Sequence, residues 1–277
     1  MRRLLSANFA RLRKNRFFWC LVAVVAAISL ASVLQSVSSF EAANARGVMV
    51  RVEEYYFDQA PYMGFFFALF ASLFLGTEYS DGTIRNKLAV GHRRNQVFLA
   101  GFFTCLAASV VILAGWLATC CLDFLLMGPP EMGMPEFGAY ILVAVGFTAS
   151  LSALFTLVSS LSSNKAMTII YTLAIFLLLL FLASGINDRL CEPETQGGMA
   201  YIDGVFTLVD PSPNPLYLGG NVRRFWECVL DFLPTGQMIL MNGVAIEHPL
   251  REMIFSVLLT GMTLLAGLPA FRKKDIK

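Results

Sequence analysis

The chain has 277 residues, 57% of them hydrophobic and only 14% charged, with 21 Lys and Arg against 19 Asp and Glu. Soluble domains carry about a quarter charged residues, so this composition excludes an ordinary soluble fold and reads as an all-α integral membrane protein. The net charge of +2 hides a strong segregation of charge along the chain.

Residues 1–16 hold Arg2, Arg3, Arg11, Arg13, Lys14 and Arg16 around an apolar stripe of Leu5, Phe9 and Leu12. That spacing predicts an amphipathic helix in the headgroup layer of a membrane. The uncharged run Phe17–Phe40 follows. About 20 residues cross a bilayer core, which places a first span at 17–37. A signal peptide also begins basic, but its apolar core is shorter and ends at a small-residue cleavage site. Residues 41–59 form a mixed, net acidic loop with Glu41, Arg46, Arg51, Glu53, Glu54 and Asp58, and a Phe-rich second span covers 60–77.

The stretch 78–94 is the one sizeable polar interruption between hydrophobic runs in the first half. Asp81-Gly82-Thr83 predicts a turn whose Asp and Thr oxygens accept the first N–H groups of a helix. Ile84 and Leu88 then share a face, Arg85 and Lys87 flank them, and Gly91 offers a left-handed stop, so a short amphipathic helix is expected. A third span at 95–122 ends at Asp123. Gly128-Pro129-Pro130 and Gly133 to Pro135 turn the chain into a fourth span at 137–161, and Ser162–Lys165 turn it into a fifth at 166–186.

Residues 187–250 break the pattern with Glu192-Pro193-Glu194, Pro211, Pro213, Pro215 and Gly219-Gly220, so much of the segment cannot be regular helix. Its apolar part, 232–246, contains Pro234 and Gly236 and is too short to span, which predicts an interfacial or re-entrant helix. The sixth span is 253–271, followed by Arg272, Lys273, Lys274 and Lys277. Placing the N-terminus, the 78–94 loop, the 162–165 turn and the tail together gathers 15 of the 21 Lys and Arg, with only Glu78, Asp81 and Asp275 among the acids. The positive-inside rule makes that side cytoplasmic, with both termini inside and 187–250 extracellular. A seventh span at 232–246 would put the basic tail outside.

The chemistry begins with absences. No Gly-x-x-x-x-Gly-Lys-Ser/Thr loop exists to cradle ATP, and no His-Glu-x-x-His; His92 and His248 fall on opposite faces. Glu53-Glu54 lie outside the spans, and Ser184 has no intramembrane His to activate it, so small residues there ease helix packing. Ion-coupled carriers need ionisable groups near the midplane, and the spans carry none; Asp123, at the outer end of span three, is expected to snorkel or cap. No catalytic residue, cofactor, metal site or nucleic-acid partner is expected in this chain. If it transports, its energy comes from a cytoplasmic partner.

Gly76-Thr77-Glu78, Gly82-Thr83, Leu88, Gly91 and Arg94, in the pattern Glu-x-x-x-Gly-Thr-x-x-x-x-Leu-x-x-Gly-x-x-Arg, resemble the segment after span two of ABC transporter permeases of the type-2 exporter family. The basic N-terminal helix, six spans, long outer segment and overall length extend the resemblance along the chain. It implies that 1–16 is an elbow helix and that Thr83–Val90 is a coupling helix docking on a separately encoded ABC ATPase. It also implies two ATPase copies carrying ATP and Mg, a second permease subunit, identical or related, and a place in the cytoplasmic membrane among its lipids. Spans one, two and five are the implied pathway walls. Family members usually carry Pro or Ser near positions where this chain has Gly91-His92.

The ATPase-coupling residues expected are Glu78, Thr83, Ile84, Arg85, Lys87, Leu88 and Arg94. Ile84 and Leu88 suit a groove and the cations suit its acidic rims, while Glu78 would pair with Arg85 or Arg94 and tie span two to the helix. The bland alternative is a solvated loop whose cations set topology and touch anionic lipid. Phe65, Phe66, Phe67 and Phe70 fit either a surface for an amphipathic substrate or ordinary packing. Of the six cysteines, Cys20, Cys105, Cys120 and Cys121 lie in spans as packing residues, whereas Cys191 and Cys228 share the outer segment, where a disulfide is open to them. Two functions remain in view: a permease exporting a hydrophobic peptide, drug or lipid, and a non-transporting scaffold or sensor whose outer segment binds a ligand.

Overall fold

The computed structural model describes residues 1–162, 164–202 and 205–274, and for residues 198–202 and 205–210 the backbone only. Ser163 of the fourth turn and Asp275 and Lys277 of the tail lie outside the described residues. The helices are α1 (Arg2–Lys14), α2 (Arg16–Ala45), α3 (Glu53–Tyr56), α4 (Ala60–Ser80), α5 (Thr83–Ala89), α6 (Arg94–Met127), α7 (Met134–Leu161), α8 (Lys165–Leu190), α9 (Gly220–Phe232), α10 (Pro234–Asn242) and α11 (Pro249–Lys273). Strands β1 (Thr195–Ile202) and β2 (Val205–Pro213) pair antiparallel as a hairpin between α8 and α9.

Six helices, α2, α4, α6, α7, α8 and α11, are long and apolar enough to cross a membrane. Each expected span lies within one of them, and several run further: α2 continues eight residues beyond position 37 and α6 five beyond 122. At 1.5 Å per residue, helices this long exceed a hydrocarbon core of about 30 Å, so their ends reach the headgroup layer, where a charge does not stop a helix.

α4, α6 and α7 form the centre of the bundle, with 56–67% of their most apolar window buried, against 22–28% for α2, α8 and α11 around them. Phe67, Phe70, Cys105, Ile112, Trp116, Phe147 and Phe155 fill the middle. α8 approaches α4 at Gly64, where an added Cβ would lie 2.2 Å from the Phe176 ring. Asp123 does not snorkel: it is 4% exposed, and its Oδ1 has no hydrogen-bond partner among the described residues. Glu53 is also buried, not part of an open loop; its Oε1 accepts from the Met132 N–H at 2.6 Å, and the nearby Tyr56 hydroxyl donates to the Gly128 carbonyl. These bonds fold α3 over the α6–α7 turn.

At that end of the bundle, 187–250 is more regular than its Pro and Gly content suggests. The expected helix at 232–246 divides at Leu233 and Pro234. α9 lies before the break, and α10, only nine residues long, tucks between α7, α8 and α4. Gly236 permits the fold, since a Cβ there would lie 2.0 Å from the Leu230 carbonyl oxygen. Gln237, fully buried, donates to the carbonyls of Asp231 and Glu252 and accepts from Ser256 Oγ at 2.8 Å, so one amide fastens α9, α10 and α11. Cys191 and Cys228 are free, exposed thiols in this structure, so the pairing left open to them is not made.

Candidate functional site

The site forms where α1, the end of α4, α5, the start of α6 and the end of α11 meet. Gly82, at φ 66°, makes the sharp turn from α4 into α5, and Gly91, at φ 95°, ends the exit. The cap differs from expectation. Among the described residues no side chain accepts the first N–H groups of α5; the Thr83 hydroxyl instead donates back to the Glu78 carbonyl at 3.0 Å, stapling α5 to α4.

Glu78 is the centre. It is 3% exposed, and its Oε1 accepts from Arg11 Nη1 at 2.5 Å and from Lys87 Nζ at 2.6 Å. Arg11 also donates to the Phe74 carbonyl at 2.9 Å, with its guanidinium 3.8 Å from the Phe74 ring centroid. Lys87 donates to Asn8 Oδ1 at 3.0 Å. A single carboxylate thus joins α1, α4 and α5, with two cations around one anion in a partly dry setting where charge-assisted hydrogen bonds are strong. The expected partners Arg85 and Arg94 are elsewhere. Arg85 is exposed, and Arg94 donates to the carbonyls of Arg272 at 2.9 Å and Lys274 at 2.5 Å, closing the C-terminus of α11.

Ile84 is also not free for a partner's groove. It is 3% exposed and packs with Leu4, Val97, Phe98, Ala100 and Phe271, while Leu88 lies partly buried against the same cluster. The helix is short, and its apolar side is taken by the rest of its own chain. What α5 and its exit turn present outward is Arg85, Asn86, Ala89, Val90 and Arg93, with Val90 80% exposed. On α1 the buried row is Leu4, Asn8 and Leu12; Phe9 is exposed, contrary to the expected stripe, because Asn8 turns inward to meet Lys87.

Arg11, Asn8 and Phe74 are not legible as site residues in the sequence, as they carry no motif and lie 63 to 79 residues from their partners. The one hint was an Asn on the helix face that repeats every four residues. A cleft of about 290 Å³ opens beside the junction, lined by Arg11, Lys14, Thr77, Glu78 and Asp81. The tail completes the end of the bundle: Lys274 Nζ donates to the carbonyls of Ser160 at 2.9 Å and Ser162 at 2.5 Å and lies 4.2 Å from the Tyr79 ring centroid. Burial pulls its pKa from 10.5 down to about 8.

The N-terminal helix, the α4–α5 turn, the α7–α8 turn and the tail therefore gather at one basic end, as charge segregation requires. A comparison with curated proteins finds no match. The family described as ABC-2 family transporter protein matches residues 4–183, a stretch that takes in nearly all of α1, the junction at Glu78, the first four membrane-length helices and most of the fifth. With well over half of its length matched and six membrane-length helices in its fold, the chain belongs to the ABC-2 transporter family as a multi-pass permease component.

Proposed function

We propose that this chain is the transmembrane permease subunit of an ATP-driven exporter in the cytoplasmic membrane, with α5 as its coupling helix and α1 as its elbow helix. The observation that carries this reading is the Glu78 junction. A push on the outer face of α5 reaches α4 through Thr83 and Lys87 and reaches α1 through Arg11, so the three elements move as one body.

The docking surface is then the outer side of α5 and its exit turn, Arg85, Asn86, Val90 and Arg93, in place of the Ile84 and Leu88 face. It fits an acidic-rimmed groove on an ABC ATPase that holds ATP and Mg. One six-helix unit supplies half of a central pathway, so two permease subunits, identical or related, would work with two ATPase copies. The substrate class proposed is hydrophobic or amphipathic, a peptide, drug or lipid. Phe67 and Phe70 are fully buried and excluded from substrate contact, whereas Phe65 and Phe66 line an apolar recess of about 260 Å³ with Val25, Ile28 and Met63.

Co-purification with the ATPase tests the reading. Arg85→Glu and Val90→Asp alter exposed side chains and leave the Glu78 junction intact. They are expected to lower ATPase recovery about tenfold, since every 1.4 kcal/mol is a decade in affinity. Undiminished recovery together with undiminished transport would overturn the docking role of α5, and failure of the unaltered chain to recover any ATPase would return it to a scaffold or sensor.

A further inference from the structure

At the end of the bundle opposite Glu78, a cavity of about 160 Å³ lies between the close of α8, the polar face of α9 and the start of α11. Arg223, Glu227 and Asp231 follow one another at four-residue spacing along α9 and line it together, with Glu247 and Arg251 across from them. Arg223 Nε donates to Glu227 Oε1 at 2.9 Å, and Arg251 pairs with Asp231, which is 5% exposed. Each arginine is therefore matched by a carboxylate. Glu247 at the rim makes no ion pair among the described residues. Next in sequence to Arg251, Glu252 is 1% exposed, with Oε2 lacking a hydrogen-bond partner among them. Three carboxylates against two arginines line the cavity, so the balance of its lining charge is negative, in a concave setting that focuses it.

We propose that this cavity binds the cationic group of a ligand, an ammonium or guanidinium carried on a short chain such as the side chain of lysine or arginine. Its volume equals that of about five waters, room for one aminoalkyl group but not for a whole lipid or peptide. A ligand's cation would sit toward Glu247 and Asp231, with the remainder of the molecule outside. Bound there, it bridges α8, which packs on α4, and α11, which packs on α7. The proposal stands apart from the docking role given to α5 and does not depend on it.

Cys191 lines the cavity and is a built-in reporter. In purified full-length protein with Cys20→Ser, Cys121→Ser and Cys228→Ser, its reaction with a cationic and an anionic methanethiosulfonate is compared, each rate divided by that of a free thiol. The cationic reagent is expected to be favoured about tenfold. Glu247→Gln, an exposed substitution that leaves the packing untouched, should cut the preference to about threefold, and millimolar lysinamide should slow the reaction where succinate does not. Equal normalised rates, or protection by succinate as good as by lysinamide, overturn the proposal. If the thiol reacts with neither reagent, thermal unfolding decides: a higher Tm with lysinamide that Glu247→Gln abolishes supports the site, and no shift overturns it.

Discussion

Glu78 holds two cations from two other elements on one oxygen, and that geometry sets how substitutions there behave. Glu78→Gln leaves Arg11 and Lys87 facing each other without an anion. Breaking a wholly buried pair costs roughly 3–5 kcal/mol; because Arg11 and Lys87 retain some solvent, a loss of about 2 kcal/mol is expected in detergent unfolding. Lys87→Met should cost less, since Arg11 still neutralises the carboxylate. A ranking in which Lys87→Met is the more damaging would show that Arg11 does not carry the pair.

Lys274 gives a pH dependence at the same scale. Its amine is pulled by burial to about 8, whereas an unfolded lysine titrates near 10.5. Below pH 8 both states are charged and the burial penalty is full. Between about 8 and 10.5 the folded chain has released a proton that the unfolded chain still holds, so docking of the tail strengthens as pH rises through that window. Limited acylation read by peptide mapping should show Lys274 labelling with a midpoint near pH 8. A midpoint near that of the other lysines would mean that the amine is not desolvated.

Among the elements, the α9–α10 corner is the most constrained by a single residue. An added methyl at Gly236 collides with the Leu230 backbone, which has no rotamer to move away, so Gly236→Ala must open the corner and weaken the Gln237 bonds to Asp231 and Glu252. A loss of about 3 kcal/mol is expected, with α10 becoming the first segment to gain hydrogen exchange. Unchanged exchange in α10 would show that the corner tolerates the shift. α5 teaches a different lesson: seven residues are too few to stand alone as a helix, and it persists because Ile84 and Thr83 fasten it to the bundle.

For the whole molecule, the basic end unites four segments that charge alone had placed together, and the opposite end carries the hairpin, α9 and α10. Orientation in a cell is directly testable. An impermeant thiol reagent added to intact cells should label Cys191 and Cys228, while a His92→Cys variant lacking the other exposed cysteines should label only after permeabilisation. The reverse pattern would invert the topology. The central trio α4, α6 and α7 has most of its surface covered within this chain, whereas α2, α8 and α11 leave long apolar faces outward, so lipid or other protein must cover them in a membrane.

Hydrophobic length and charge placement are local quantities, which is why six membrane-length helices, a basic N-terminal helix and a short helix after span two are legible in the amino-acid order. The segment 187–250 was less legible. Pro and Gly announce breaks in a helix but do not say that the pieces between them, α9 and α10, will be held by a buried glutamine from the side. The site was legible in part: Glu78, Thr83 and Lys87 carry the junction, but Arg85 has no ion pair among the described residues, Arg94 closes α11, and Ile84 faces inward. Composition along one stretch is enough to say that a carboxylate stands between span two and a cationic helix. Which cations reach it is a matter of packing, since Arg11 lies 67 residues away and is brought to Glu78 by the docking of α1 on the bundle.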